Sequence, residues 1–353
     1  MFYKKWMFSG ITSSLLCEQP HRKKGTSETV GTHQYVANRL IEDRVSHSFL
    51  EAGKKRFELV TVIDGHGGSQ VAEYLTRELP NFISHELGKI SPPNQSMADA
   101  LRSAFLLADD RWFSLVEPAY KLGFTAPIKA GACAIAVLLN ESEIVVASVG
   151  DCKCIIATNG SVKDLNIERN ANRDEEQARL RQQHPGEPDV VKCRKSWTDP
   201  LVPSKKFFSG CYVKGRLQPT KSFGDFHLKI SSVLTDPERG SPFLDPSSKR
   251  THPYIDADPD VTVTLRDPGD YFLIAATDGL WDQFSSEEAA KIVESAFKSG
   301  LSPQQAAETL VEAALLNAAK TRNISLSDLK ALPQGSARRN VHDDISVCIV
   351  LLR

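Results

Sequence analysis

The chain has 353 residues, of which 41% are hydrophobic, enough to bury a sizeable core as one large domain or two ordinary ones. A formal net charge of -1 and a pI ≈ 6.8 exclude a global electrostatic pull toward nucleic acid or a membrane surface, and no stretch approaches the roughly 18 to 20 apolar residues of a membrane span. Seven scattered cysteines without a C-x-x-C pair predict free thiols in a reducing compartment rather than a disulfide framework.

Residues 1–30 carry Lys4, Lys5, Arg22, Lys23 and Lys24 against Glu18 and Glu28 and read as a basic, poorly ordered tail. The apolar run Ile11 to Leu16 is broken by serines and too short for a signal-peptide core. Residues 31–353 read as a single domain. Glu42-Asp43 stands before a short β-like segment, and the strand-like run Phe57 to Ile63 ends in Asp64-Gly65-His66-Gly67-Gly68. A helix with Val71, Tyr74, Leu75 and Leu79 on one face follows, and Ser96 with Asp99 opens a second one through Leu101, Phe105, Ala108 and Trp112.

Strand-like runs at Ala132 to Leu138, Ile144 to Val149 and Cys152 to Ala157 are separated by turns so short that they must pair antiparallel. Residues 161–215 form a charged insertion with one helix from Arg173 to Gln183, a candidate substrate-facing flap, and 231–259 read as an irregular loop. Two further strands follow at Val261 to Leu265 and Tyr271 to Ala276. Then come a capping box at Ser285 with Glu288, a helix start at Ser302-Pro303-x-Gln305 and a last strand from Ile345 to Leu352. Helices in two pairs around antiparallel strands predict an α+β fold, a four-layer α-β-β-α sandwich with two sheets face to face.

Chemistry gathers at the strand ends. Asp64 ends one apolar strand and Asp278 follows another, Asp343-Asp344 precedes the last strand, and Asp151 sits in a tight turn. Each alone is an ordinary turn or loop residue. Repeated along one edge of a sandwich, they place several carboxylates together, and their repulsion is costly unless divalent cations neutralise it. His66 beside Asp64 adds a proton carrier, and the glycines allow close backbone approach.

In this combination the chain resembles the metal-dependent serine/threonine phosphatases of the protein phosphatase 2C family. The matching stretches, in family order, are Glu42-Asp43, Asp64 to Gly68, Gly131-Ala132-Cys133-Ala134, Gly150-Asp151, Gly224-Asp225, Ala276 to Asp282 and Asp343-Asp344-Ile345-Ser346. Ala37-Asn38, Gln183-His184-Pro185, Gly215 to Thr220 and His342-Asp343-Asp344 are most similar to the pyruvate dehydrogenase phosphatase branch and related plant enzymes.

The resemblance implies hydrolysis of phosphoserine and phosphothreonine in phosphoproteins by a water or hydroxide bridging two Mg²⁺ or Mn²⁺ ions. On that basis Asp64 bridges both ions, Asp278 and Asp343 hold one, Asp43 and the carbonyl of Gly65 hold the other, and Glu42 acts through a water. Asp151 with Asp282 matches a weaker third metal site, and His66 is the candidate general acid. Many members carry an arginine five residues before the metal-binding Asp43 position to grip the substrate phosphate. Here that residue is Asn38, which leaves Arg39 or Arg44 as candidate phosphate contacts. Lys221 replaces the usual arginine ahead of Gly224-Asp225, and Cys152-Lys153 replaces a common Ser-Arg. The expected protein is a monomer acting on phosphoproteins, without nucleic acid, in the cytoplasm, with nuclear and mitochondrial locations left open. The alternative from another class is a pseudophosphatase that binds phosphoproteins without turnover; a two-metal nuclease is weaker for want of a basic stripe or stacking aromatics.

Overall fold

The structure, a computed structural model, describes residues 29–53, 55–90, 96–158, 160–194, 197–198, 206–207, 210–230, 233 and 251–352. The expected basic tail lies outside these residues as far as residue 28, as does most of the expected 231–259 loop. In chain order, strands β1 (Val30–Tyr35), β2 (Arg44–Ala52) and β3 (Lys55–His66) precede helices α1 (Gln70–Gly88) and α2 (Met97–Lys121). Strands β4 (Gly131–Leu139), β5 (Glu143–Val149), β6 (Lys153–Thr158) and β7 (Ser161–Asp164) lead to helix α3 (Asp174–Gln183) and strands β8 (Val191–Arg194) and β9 (Gly210–Val213). Strands β10 (Asp260–Leu265) and β11 (Asp270–Ala276), helices α4 (Ser286–Lys298) and α5 (Pro303–Thr321) and strand β12 (Ile345–Leu351) follow.

Two antiparallel sheets face each other. One runs β1-β12-β11-β6-β7 and the other β10-β5-β4-β3-β2, with Phe223–Gly224 added beside β4. Strand alternation sends Val60, Val62, Ile135, Val146, Ile156, Leu273 and Val350 into the layer between the sheets. The opposite faces, through Leu59, Ile63, Ala134 and Val145, pack on α1 and α2, and through Phe272, Ile274, Val347 and Ile349 on α4 and α5. Strands buried on both faces are mostly apolar on both alternating rows, which is why Phe57 to Ile63 was legible despite Glu58 and Thr61. The helix starts also form as read: the Ser96, Ser285 and Ser302 hydroxyls accept from the backbone N–H groups of Asp99, Glu288 and Gln305. The observed architecture is the four-layer α-β-β-α sandwich.

Antiparallel pairing also decides which strand ends meet. His66 at the end of β3 stands opposite Gly131 at the start of β4, and Ala276 at the end of β11 stands opposite Val347 and Lys153. The chemistry-bearing turns therefore share one edge of the sandwich.

One expectation from the cysteines is corrected. Cys193 on β8 and Cys211 on β9 are register partners and form a disulfide with an S–S distance of 1.98 Å. An odd total and scattered spacing conceal this pair, because the pairing of two short flap strands across 18 residues is what brings the sulfurs together. Cys133, Cys152, Cys154 and Cys348 are free and buried, as expected of small core residues. A second correction is that Val30, placed in the tail by composition, already begins β1.

Of the stretch expected to be a flap, Ser161–Asp164 is β7 of the sandwich itself, and the part after it, which carries helix α3, is tied to the sandwich by charge. Arg169 donates two hydrogen bonds of 2.7 Å to Asp260 on β10 and one of 2.5 Å to Glu176 on α3. Burial alone would push the Glu176 carboxyl up, but hydrogen bonds from Arg179, Thr220 and Arg169 outweigh it and hold the group down at about 2, against an ordinary 4.5. A group depressed in the folded state stabilises the fold above its unfolded value, and that contribution is lost as pH falls toward the folded one. Discounted for solvent screening, the shift is worth about 2 kcal/mol. Urea melts at successive pH values are expected to show Glu176→Gln less stable by about that amount at neutral pH. The variant should also show a shallower loss between pH 4.5 and about 2. Identical pH dependence in the two proteins would contradict this account of the flap.

Candidate active site

Asp64 continues the inward row of Val60 and Val62, so its carboxyl turns into the space between the sheets. There it faces the charge of Asp278, which opens a short helical turn (Asp278–Trp281) just beyond β11. Burial, then the charges of Asp278, Asp43 and Asp151, push the Asp64 carboxyl well up. Asp43 is raised to about 7 by burial and the charge of Asp344, against hydrogen bonds from Ser346 and Thr277. Burial and the charge of Asp278 likewise lift Asp151 to about 6, and the same charge raises Asp282, which is exposed at the edge of the site. Glu42, at the rim, is raised chiefly by burial despite a hydrogen bond from the Gly68 backbone.

Burial and like charges outweigh the positive charge that reaches these carboxyls, from Arg339 at Glu42 and Asp282 and from His66 at Glu42 and Asp151. Oδ1 of Asp151 and Oδ1 of Asp278 are buried without any hydrogen bond, an expensive arrangement unless something else satisfies them. Among the described residues no group of three or more His, Cys, Asp or Glu side chains is closed around a point as a ready-made ligand set. Instead the carboxyls repel one another, the charges of Asp278, Asp43 and Asp151 all acting on Asp64. An all-oxygen donor set with orphaned oxygens and mutual repulsion fits hard divalent cations such as Mg²⁺ or Mn²⁺ and does not fit zinc.

Two devices hold the loop that carries Glu42 and Asp43. Thr277 Oγ1 donates to Asp43 Oδ2 at 2.9 Å and accepts from the Ser346 N–H at 3.1 Å, joining the loop to β12. Asp344 accepts from the backbone N–H groups of Ala37, Asn38 and Glu42 at 2.6, 2.9 and 3.0 Å and from the Asn38 side chain at 3.0 Å. Gly65 packs so closely on the Glu42 carbonyl that a side chain there would collide with it. Asp343 stands apart from the cluster in one respect. Its Oδ1 accepts from the Asp344 N–H at 2.7 Å and is paired with Arg339.

On the other side of the cluster, His66 Nε2 lies 2.6 Å from Oδ2 of Asp225, which also accepts from Ser222 Oγ at 2.7 Å. Asp225 is buried and sits in the left-handed region at φ 49, a conformation few residues other than glycine tolerate. Its turn is fixed by Asp109 of α2, which accepts from the Gly224 N–H at 2.8 Å and from Lys229 at 2.6 Å. Gly131 is required opposite: a Cβ there would overlap both the Asp225 carboxylate and the His66 ring. Burial alone would push His66 down, but the Asp225 carboxylate outweighs it and leaves the imidazole raised.

The charge of Asp278 thus acts on Asp43, Asp64, Asp151 and Asp282, and that of His66 on Glu42 and Asp151; Gly65 is packed on Glu42, and Asp343 is paired with Arg339, whose charge reaches Glu42. Arg44 is engaged elsewhere, donating to the carbonyls of Ile41 and Asp43 at 2.9 and 2.7 Å and to Glu73 at 2.8 Å, while Arg39 is exposed. Lys221 donates to the Asp258 carbonyl at 2.6 Å, and Lys153 pairs with Asp164 and Glu168, so both substitutions serve structural contacts. Thr277, Asp344, Asp225 and Ser222 had no assigned role in the sequence. The available signals were Gly131 and Gly224-Asp225, whose glycines mark a close approach.

A family model described as "Protein phosphatase 2C" matches residues 31–323. "Probable protein phosphatase 2C 38" of Arabidopsis thaliana is 32% identical over 331 residues, covering 90% of this chain and 78% of that protein. "Probable protein phosphatase 2C 72" of Oryza sativa subsp. japonica is 31% identical over 328 residues, covering 89% and 76%. The solved "Crystal structure of serine-threonine phosphatase 2C from Toxoplasma gondii" shares the fold, with a TM-score of 0.62 at 18% identity over 92% of this chain and 94% of that one. In sequence over most of its length, the chain belongs to the protein phosphatase 2C family and is a serine/threonine protein phosphatase.

Proposed function

We propose that this phosphatase hydrolyses phosphoserine and phosphothreonine in phosphoproteins with two Mg²⁺ or Mn²⁺ ions held by Asp43, Asp64, Asp278, Asp343 and the Gly65 carbonyl. Glu42 acts through a water, and Asp151 with Asp282 provides a weaker third site. The observation that carries this reading is the set of buried, mutually repelling carboxyls with two orphaned oxygens at the ends of strands from both sheets. When bound, such cations lower the pKa of a water nucleophile and neutralise charge on the phosphoryl group.

The chain's own residues do the rest. Asp344 and Thr277 fix the loop that carries Glu42 and Asp43. His66 donates a proton to the departing seryl or threonyl oxygen, with Asp225 keeping the imidazole oriented and charged. A direct attack by water needs no phosphoenzyme, and the buried thiols agree with that: burial pushes Cys133 and Cys152 well up, away from reactive thiolate.

Hydrolysis of p-nitrophenyl phosphate with Mn²⁺ tests the proposal. Activity is expected to vanish in excess chelator and to return with added Mn²⁺ or Mg²⁺. Turnover that ignores the chelator, or none at all in the metal-supplied protein, would remove the metal-dependent reading.

A further inference from the structure

A site lined by carboxyls must still receive a doubly charged phosphate, so positive side chains at its rim decide substrate affinity. Several nearby cations are already engaged. Arg44 holds backbone carbonyls and Glu73, and Lys153 faces Asp164 and Glu168. Arg338 donates to the carbonyls of Val36 and Leu332 at 2.9 and 2.6 Å. Asn38 turns its amide into Asp344 rather than toward the cluster.

Arg339 is different. It ends a short helical turn (Ser336–Arg339) that is bolted to the loop before Glu42: the Gly335 N–H donates to the Ala37 carbonyl at 2.8 Å, and Arg338 reaches Val36. From this fixed base its guanidinium, 45% exposed, reaches Asp343. Its positive charge also acts on Glu42 and Asp282.

We propose that Arg339 is the phosphate-binding guanidinium of this enzyme, exchanging its contact with Asp343 for oxygens of the substrate phosphate. The inference rests on the function proposed above, where Asp343 is given to a cation and so releases the arginine. A planar guanidinium on a rigid turn suits this exchange, because its paired N–H groups match a phosphate as well as a carboxylate.

Calorimetric titration of the Mn²⁺-loaded protein with inorganic phosphate, together with KM and kcat on a phosphothreonine peptide, tests it. Arg339→Ala is expected to weaken phosphate binding and raise KM in parallel, each roughly 10- to 100-fold, with a much smaller change in kcat. Arg339→Lys should recover part of the loss, since it keeps the charge and loses the fork. Mn²⁺ affinity, measured separately, should be undiminished in Arg339→Ala because a competing cation has been removed. Phosphate affinity unchanged in Arg339→Ala, or the same loss found in Arg39→Ala instead, would overturn the assignment. Phosphate binding needs no turnover, so an inactive wild-type protein would sink the functional reading through a different measurement.

Discussion

Asp278→Asn is expected to lower kcat/KM on any phosphate monoester by about 10³-fold or more, since several kcal/mol of charge stabilisation depend on intact cation ligands. The same variant should be more heat-stable than the wild type in chelator. Without cations, the charge of Asp278 acts on Asp64, Asp43, Asp151 and Asp282. An amide of the same size keeps the volume of the carboxyl and brings no charge. Removing one like charge from such a buried set is worth on the order of 1–2 kcal/mol. Thermal melts with and without Mn²⁺ read this directly: the variant leads in chelator, and the wild type gains more from Mn²⁺. If Asp278→Asn melts below the wild type in chelator, the carboxyls do not repel as described. Retention of activity would remove Asp278 from the cation site.

How much of this was visible beforehand follows from where each element sits. Strands β3, β4, β5 and β11 are largely buried on both faces and print as mostly apolar runs, and the helix starts are local signals within four residues of each serine. Strands β1 and β2 lie at sheet edges and are only half-buried, so Val30–Tyr35 and Arg44–Ala52 mix polar and apolar residues without a clear period. At the site, residues that end apolar strands were legible because a carboxylate there contrasts with what precedes it. The contacts of Asp344 and Asp225 were not, because their partners lie far away in sequence. Asp344 meets Ala37 across 307 positions and Asp225 meets His66 across 159. The Cys193–Cys211 pair escaped for the same reason: register, not spacing, brings the two together.

The second large effect concerns the proton rather than the cations. His66→Ala is expected to lower kcat on a phosphothreonine peptide by about 10²- to 10⁴-fold, the usual range for loss of a positioned general acid. The loss on p-nitrophenyl phosphate should be much smaller, because a nitrophenolate leaves without help and a threonyl alkoxide does not. Asp225→Asn should reproduce this selectivity at a smaller size, on the order of 10- to 100-fold on the peptide. The amide can still accept from Ser222, so the turn at Gly224 keeps its shape while the imidazole loses the negative partner 2.6 Å away. A general fault in folding would reduce both substrates together, and a fault in cation binding would do the same. Only a proton-delivery role separates the peptide from the aryl ester. Equal losses on the two substrates in both variants would therefore leave the His66–Asp225 pair as a structural contact and require the leaving oxygen to take its proton from elsewhere.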